Sequence, residues 1–256
     1  MKILKIGVIG TGHMGRNHVR NLSEESRFQL VGIHDIDTRK AYEVGERYRV
    51  RVYENIDSLL NEVEAVVIAV PSVLHKEIGL KAAEHNVHAL IEKPLATTVK
   101  DAKEIVKAFD DKKLKLVVGH IERFNPVFME LYKLVRAEDI FYIEAHRYSP
   151  FSGSGRIADT SVVEDLMIHD IDLICRLMSG VQVKSIKGYG EAVKSKLQAD
   201  FSTCILQFES KAHAVINASR ISQNKERTIE VHTPNSCICA DLVAKTLYIN
   251  NSNFPH

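Results

Sequence analysis

The stretch KIGVIGTGHMGRNH, Lys5 to His18, runs a β-branched segment into three glycines, Gly10, Gly12 and Gly15. Gly-x-Gly-x-x-Gly alone marks little, because turns use glycine freely. Its surroundings carry the reading. A strand ends just before the first glycine and a helix is expected from His13 to Leu22. The first helical amides and the positive end of the helix dipole then meet at the loop, where a pyrophosphate can sit. Gly12 would let phosphates approach closely, and Gly15 would let the helix pack on the strand. The next strand ends at Asp35, twenty residues beyond Gly15, where a carboxylate accepts bonds from adenosine ribose hydroxyls. The competing reading, an ordinary strand-to-helix turn with a solvated aspartate, leaves that combination unexplained. Asp35 also favours NAD over NADP, since it would repel a 2′-phosphate, an effect that Arg39 and Lys40 partly offset.

Working outward, the first half alternates strand and helix patterns, the order of a parallel sheet covered on both faces. Strands are expected at Ile3–Ile9, Gln29–Asp35, Arg49–Tyr53, Ala65–Val70, His88–Glu92 and Lys115–Ile121. Helical periodicity fills His75–Asn86 and Val99–Phe109. After RFNP, Arg123 to Pro126, the pattern becomes one helix, a strand near FYIEAHRY, a glycine-containing loop and a second helix. Five β-rich runs follow, with consecutive pairing the simplest arrangement. The expected fold is an α/β Rossmann domain with a doubly wound parallel sheet at residues 1–122. An α+β domain with a mostly antiparallel open sheet follows at 123–256. An uncovered sheet face predicts a homodimer or homotetramer, since such a face tends to be buried by a symmetry mate.

Composition excludes several classes. The chain has 256 residues, with 34 Lys plus Arg against 33 Asp plus Glu, which leaves no basic footprint for nucleic acid or anionic membrane. Its longest apolar runs fall far short of the roughly 20 residues that span a bilayer. No apolar signal segment precedes the first strand, which points to the cytoplasm. Cys175, Cys204, Cys237 and Cys239 include no Cys-x-x-Cys and are expected to be reduced core residues, with no zinc site.

Two further stretches carry chemistry. In Glu92-Lys93-Pro94, at the carboxyl end of the fifth expected strand, Lys93 lies on the edge where open α/β sheets bind ligands. In VVEDLMIHDIDLICRLMSG, Val162 to Gly180, Asp165 and His169 stand at i and i+4, and Asp172 and Arg176 continue the stripe. A surface lysine and a solvated helix stripe are the plainer readings. Histidine nevertheless suits proton transfer near neutral pH, and a carboxylate one turn away can orient it.

Taken together, the glycine loop with His18 three places on, EKPL, RFNP and DLMIHDIDLI resemble the glucose-fructose oxidoreductase, inositol dehydrogenase and rhizopine-catabolism (Gfo/Idh/MocA) family over nearly the whole chain. The resemblance implies that Lys93 and His169, with Asp165, flank the substrate carbon beside the nicotinamide. His169 would be the general base, and Lys93 the cation that stabilises the developing alkoxide. It further implies a cofactor-binding set of Gly10, Gly12, His13, Met14, Gly15, Asp35, Ala69, Pro71, His75, Glu92 and Lys93. The implied substrate set is Lys93, Arg123, Asn125, Tyr148, Arg156, Asp165 and His169, with no metal required. ERFNPV and the segment from Pro150 to Asp172 look most like the branch that oxidises UDP-N-acetylglucosamine-type sugar nucleotides at the 3-hydroxyl. There Arg156 and the loop from Tyr148 to Thr160 would approach the sugar or its diphosphate. Relatives commonly continue into closing helices that this sequence lacks after NNSNFPH. Two alternatives stay open: a dehydrogenase of a free sugar or cyclitol, and an NAD-binding sensor that turns nothing over.

Overall fold

The computed structural model describes residues 3–151, 160–195 and 197–251. The chain divides into two units, Met1–Gly119 and His120–His256.

In the first unit the elements run β1 (Leu4–Ile9), α1 (His13–Glu24), β2 (Phe28–His34), α2 (Thr38–Tyr48), α3 (Ile56–Leu60), β3 (Ala65–Ile68), α4 (His75–Glu84), β4 (His88–Ile91), α5 (Val99–Asp111) and β5 (Leu116–Val118). The strands form one parallel sheet in the order β2-β1-β3-β4-β5. Period-two alternation sorts its side chains between two cores. Ile6, Val8 and Val67 pack with Val19 of α1 and Val44 of α2 on one face. On the other, Ile9, Val66 and Ile68 pack with Ala82 of α4 and Ile105 and Phe109 of α5. All four residues of β3 are buried, as expected for a strand covered on both sides. Side-chain caps start the helices: Asp37 accepts from the Lys40 amide and Thr98 from the Asp101 amide.

One expected strand is absent. Arg49–Tyr53 makes only an isolated bridge, Val52 to Ile33. The chain leaves α2 through Arg49 in the left-handed region (φ 54°), runs beside β2 for two backbone hydrogen bonds, and turns where Asn55 caps α3. Tyr53 is buried there against Gly32, where an added Cβ would lie 2.2 Å from its ring. The Glu-Lys-Pro motif therefore follows the fourth strand, not the fifth.

The second unit contains α6 (Pro126–Leu134), β6 (Tyr142–Pro150), a π-helical turn (Val163–Met167) leading into α7 (Ile168–Leu177), and six strands, β7 (Val183–Glu191), β8 (Phe201–Phe208), β9 (His213–Ser222), β10 (Glu226–Thr233), β11 (Ser236–Asp241) and β12 (Thr246–Asn251). Their order in the sheet is β12-β11-β10-β6-β9-β8-β7. All neighbours are antiparallel except β6 and β9. Pairing is thus not consecutive throughout, because β6 separates β9 from β10. Its inward residues Ile143, Ala145 and Arg147 are fully buried, which fits a central strand flanked on both sides. Phe128 and Leu131 of α6, with Leu173, Ile174 and Leu177 of α7, cover this inner face.

Among the cysteines only Cys204 is buried. Cys175 is exposed and Cys237 and Cys239 are partly exposed, which corrects the expectation that all four lie in the core. A cysteine on a sheet alternates faces like any residue, and the odd-numbered pair on β11 falls on the outer one.

Candidate active site

In the first unit the expected cofactor residues gather at the carboxyl ends of the parallel strands. Gly10 has φ +91°, and a Cβ there would stand 2.6 Å from the Ala69 carbonyl oxygen. A Cβ on Gly15 would stand 1.8 Å from the Gly10 carbonyl oxygen, so only glycine lets α1 start this close to the loop. At Gly12 an added Cβ meets nothing within 4 Å, and this N-cap residue supplies no capping side chain to α1. The first amides of a helix have no partner within it. The cradle therefore fits the pyrophosphate of a dinucleotide, with His13 exposed and Met14 half-buried at its rim.

Asp35 is fixed by the loop it serves. Its Oδ2 accepts from the Thr11 amide (2.6 Å) and hydroxyl (2.9 Å), and its Oδ1 from the Asp37 amide (2.9 Å). Oδ1, which accepts only the Asp37 amide, keeps a lone pair for a ribose hydroxyl. Thr11, fully buried, is a site residue that the sequence reading missed, although its place between Gly10 and Gly12 was a signal.

Around the Glu-Lys-Pro motif the side chains form a clamp. The buried Glu92 takes His18 Nε2 at 2.7 Å on Oε1 and the Lys93 amide at 3.3 Å on Oε2. A Cβ on Gly119 would stand 2.9 Å from that Oε2, so glycine makes the room. His75, also buried, lies across two carbonyls, with Nδ1 2.8 Å from Pro94 O and Nε2 3.0 Å from Val70 O. It ties the end of β3, where Ala69 and Pro71 sit, to the turn that carries Lys93. Lys93 itself is partly exposed, and its bond to Pro94 is cis.

In the second unit, Asp165 and His169 do not share one regular helix. Asp165 is exposed in the π turn and its amide donates to Ser161 O, whereas half-buried His169 is the second residue of α7. Ser161 and Glu164 form a reciprocal capping box at the start of the turn, with contacts of 3.0–3.3 Å. A π turn widens the repeat and shifts every later side chain around the axis. The next residue after His169 anchors the helix. Asp170 receives Arg147 Nε and Nη2 at 2.7 and 2.8 Å, both side chains fully buried. Arg147 Nη1 reaches Glu122 Oε1 at 3.2 Å, and Arg227 Nη1 reaches the same oxygen at 2.8 Å. Two carboxylates and two guanidiniums thus balance inside the fold. Burial pushes the Asp170 carboxyl up, against the pull of Arg147.

Three further expected substrate residues of this unit, Arg123, Asn125 and Tyr148, are engaged in structure. Arg123 makes a two-point pair with Asp172 at 2.7 and 2.5 Å. Asn125 caps α6 through Oδ1 to the Val127 amide, and its Nδ2 donates to Leu242 O. Tyr148 Oη meets His146 Nδ1 at 2.8 Å. Arg156 lies outside the described residues.

Residues 4–120 match the oxidoreductase family with an NAD-binding Rossmann fold, and residues 138–236 match the GFO/IDH/MocA C-terminal domain. UDP-N-acetylglucosamine 3-dehydrogenase of Acidithiobacillus ferrooxidans is 32% identical over 96% of this chain and 76% of its own length. Its solved structure superposes with a TM-score of 0.91, covering 98% of this chain and 81% of that one. Inositol 2-dehydrogenase of Acidothermus cellulolyticus is 29% identical over 86% of this chain and 67% of its own length. With an NAD-binding Rossmann unit, a seven-stranded second unit and both motifs in place, the chain belongs to the Gfo/Idh/MocA family of oxidoreductases.

Proposed function

We propose that this dehydrogenase oxidises the 3-hydroxyl of a UDP-N-acetylhexosamine, with NAD as its preferred cofactor. The observation that carries the proposal is similarity to a UDP-N-acetylglucosamine 3-dehydrogenase along 96% of the chain, with Lys93, Asp165 and His169 all present. NAD, when bound, supplies the hydride acceptor. His169 takes the hydroxyl proton, held in orientation by Asp165, while the ammonium of Lys93 stabilises the developing alkoxide. The Glu92 and His75 contacts hold the turn that presents Lys93, and the Arg147–Asp170 pair holds the helix that presents His169. Asp35, locked by Thr11, supports NAD, because its charge opposes a 2′-phosphate.

A second reading, oxidation of a free cyclitol, is favoured by the similarity to inositol 2-dehydrogenase. Assembly of two or four chains through the second unit's outer sheet face also belongs to the proposal. By strand register, exposed Tyr189, Phe201, Ile205 and Tyr248 lie on that face with Glu144 and His146. We place the enzyme in the cytoplasm, a reading that fractionation of the native cells would test and that recovery in a membrane or secreted fraction would refute.

The test of the chemistry is Lys93→Ala and His169→Ala. Each should lower kcat by about 100-fold or more with the NAD dissociation constant little changed, and the double variant should lose less than the two losses combined. Near wild-type turnover in either single variant would overturn the assignment.

A further inference from the structure

On the outer face of the second unit's sheet, β10 and β11 bring together metal-ligating side chains that the dehydrogenase chemistry does not use. Glu230 and His232 stand two apart on β10, and Cys237 and Cys239 two apart on β11. Antiparallel register places His232 directly opposite Cys237, and Glu230 directly opposite Cys239. All four are partly exposed and on one face. His232 Nε2 lies 2.6 Å from Glu230 Oε1 and 3.9 Å from Cys237 Sγ. The ligating atoms of Glu230, His232 and Cys237 all fall within 4.8 Å of one another.

From these positions we infer that Glu230, His232 and Cys237 form a zinc-binding site. Thiolate, imidazole and carboxylate together suit Zn²⁺ and disfavour magnesium or calcium, which take oxygen. Tetrahedral coordination with zinc–nitrogen and zinc–oxygen bonds of about 2.0–2.1 Å and a zinc–sulfur bond of about 2.3 Å separates nitrogen from oxygen by about 3.3 Å and nitrogen from sulfur by about 3.6 Å. The observed 2.6 Å would lengthen by about 0.7 Å and the observed 3.9 Å shorten by about 0.3 Å, changes within reach of side-chain torsions. Charge favours a cation as well: Glu144 on β6 lies directly opposite Glu230, a like-charge pair that a dication relieves. Binding exchanges the His232–Glu230 hydrogen bond for two metal bonds, shifts the imidazole proton from Nε2 to Nδ1 and releases the Cys237 thiol proton to solvent.

The experiment uses the full chain, stripped with a chelator and titrated with Zn²⁺ against a competing indicator and, separately, with Co²⁺. We expect about one ion per chain and a thiolate-to-cobalt charge-transfer band. Cys237→Ser should abolish the band and weaken zinc by about tenfold or more, as should His232→Gln, while Cys175→Ser changes neither. Zinc uptake far below one ion per chain, or a band and affinity unchanged in Cys237→Ser, would overturn the site. Neither readout depends on which sugar the enzyme oxidises.

Discussion

Replacing Arg147 with alanine probes the buried charge cluster behind His169. Arg147 has no exposed surface, and it serves two carboxylates, Asp170 at 2.7 and 2.8 Å and Glu122 at 3.2 Å. Without it, two buried carboxylates are left with Arg227, whose hydrogen bond goes to Glu122. Removing one partner of a buried ion pair costs about 3–5 kcal/mol, because the surviving charge stays out of water. At about 3 °C per kcal/mol for a unit of this size, the melting temperature should fall by roughly 9–15 °C. Circular dichroism melts or urea titration would measure it. Arg147→Met combined with Asp170→Leu leaves one carboxylate and one guanidinium in balance, so this double variant should recover most of the loss. A single variant within about 1 kcal/mol of wild type, or a double variant less stable than the single, would refute the reasoning.

Three further outcomes follow from named contacts. NAD should bind more tightly than NADP by calorimetry, and Asp35→Ser should narrow the gap; equal affinities in the wild type would contradict the role of Asp35. Light scattering at micromolar concentration should give the mass of two or four chains, and a monomer mass would count against assembly through the outer sheet face. Asp200 is buried, which raises its pKa, but the amides of Ser195, Lys194 and Val193 and the Arg220 guanidinium outweigh this and bring it to about 2. A depressed carboxylate contributes stability above its unfolded pKa near 4 and loses it as pH falls through the folded value, so acid unfolding should steepen between about pH 4 and 2. Asp200→Asn should flatten that limb, and an unchanged slope would refute the assignment.

The parts legible in sequence were those where backbone geometry leaves few choices. Gly10 and Gly15 occupy places where a Cβ collides with backbone, and Asp35 falls where β2 delivers it, so the glycine spacing together with the flanking strand and helix located the dinucleotide loop. Alternation likewise announced the second unit's strands, since each buries one face. Long-range partnerships were not legible. Arg147 reads as an ordinary charge in a strand, and its partner Asp170 is 23 residues away on another element. The π turn at Val163–Met167 leaves no compositional mark, so Asp165 and His169 read as one regular helical stripe. Arg49–Tyr53 misled because β-branched residues also suit an extended segment that packs Tyr53 without joining the sheet.

UDP-N-acetylglucosamine carrying deuterium at C3 of the sugar, incubated with the enzyme and NAD beside a parallel reaction with myo-inositol, separates the two proposed substrates. The sugar nucleotide should reduce NAD and leave deuterium on the reduced nicotinamide, with little turnover of myo-inositol. Reduced cofactor without the label, or turnover of myo-inositol alone, would contradict oxidation at the 3-hydroxyl.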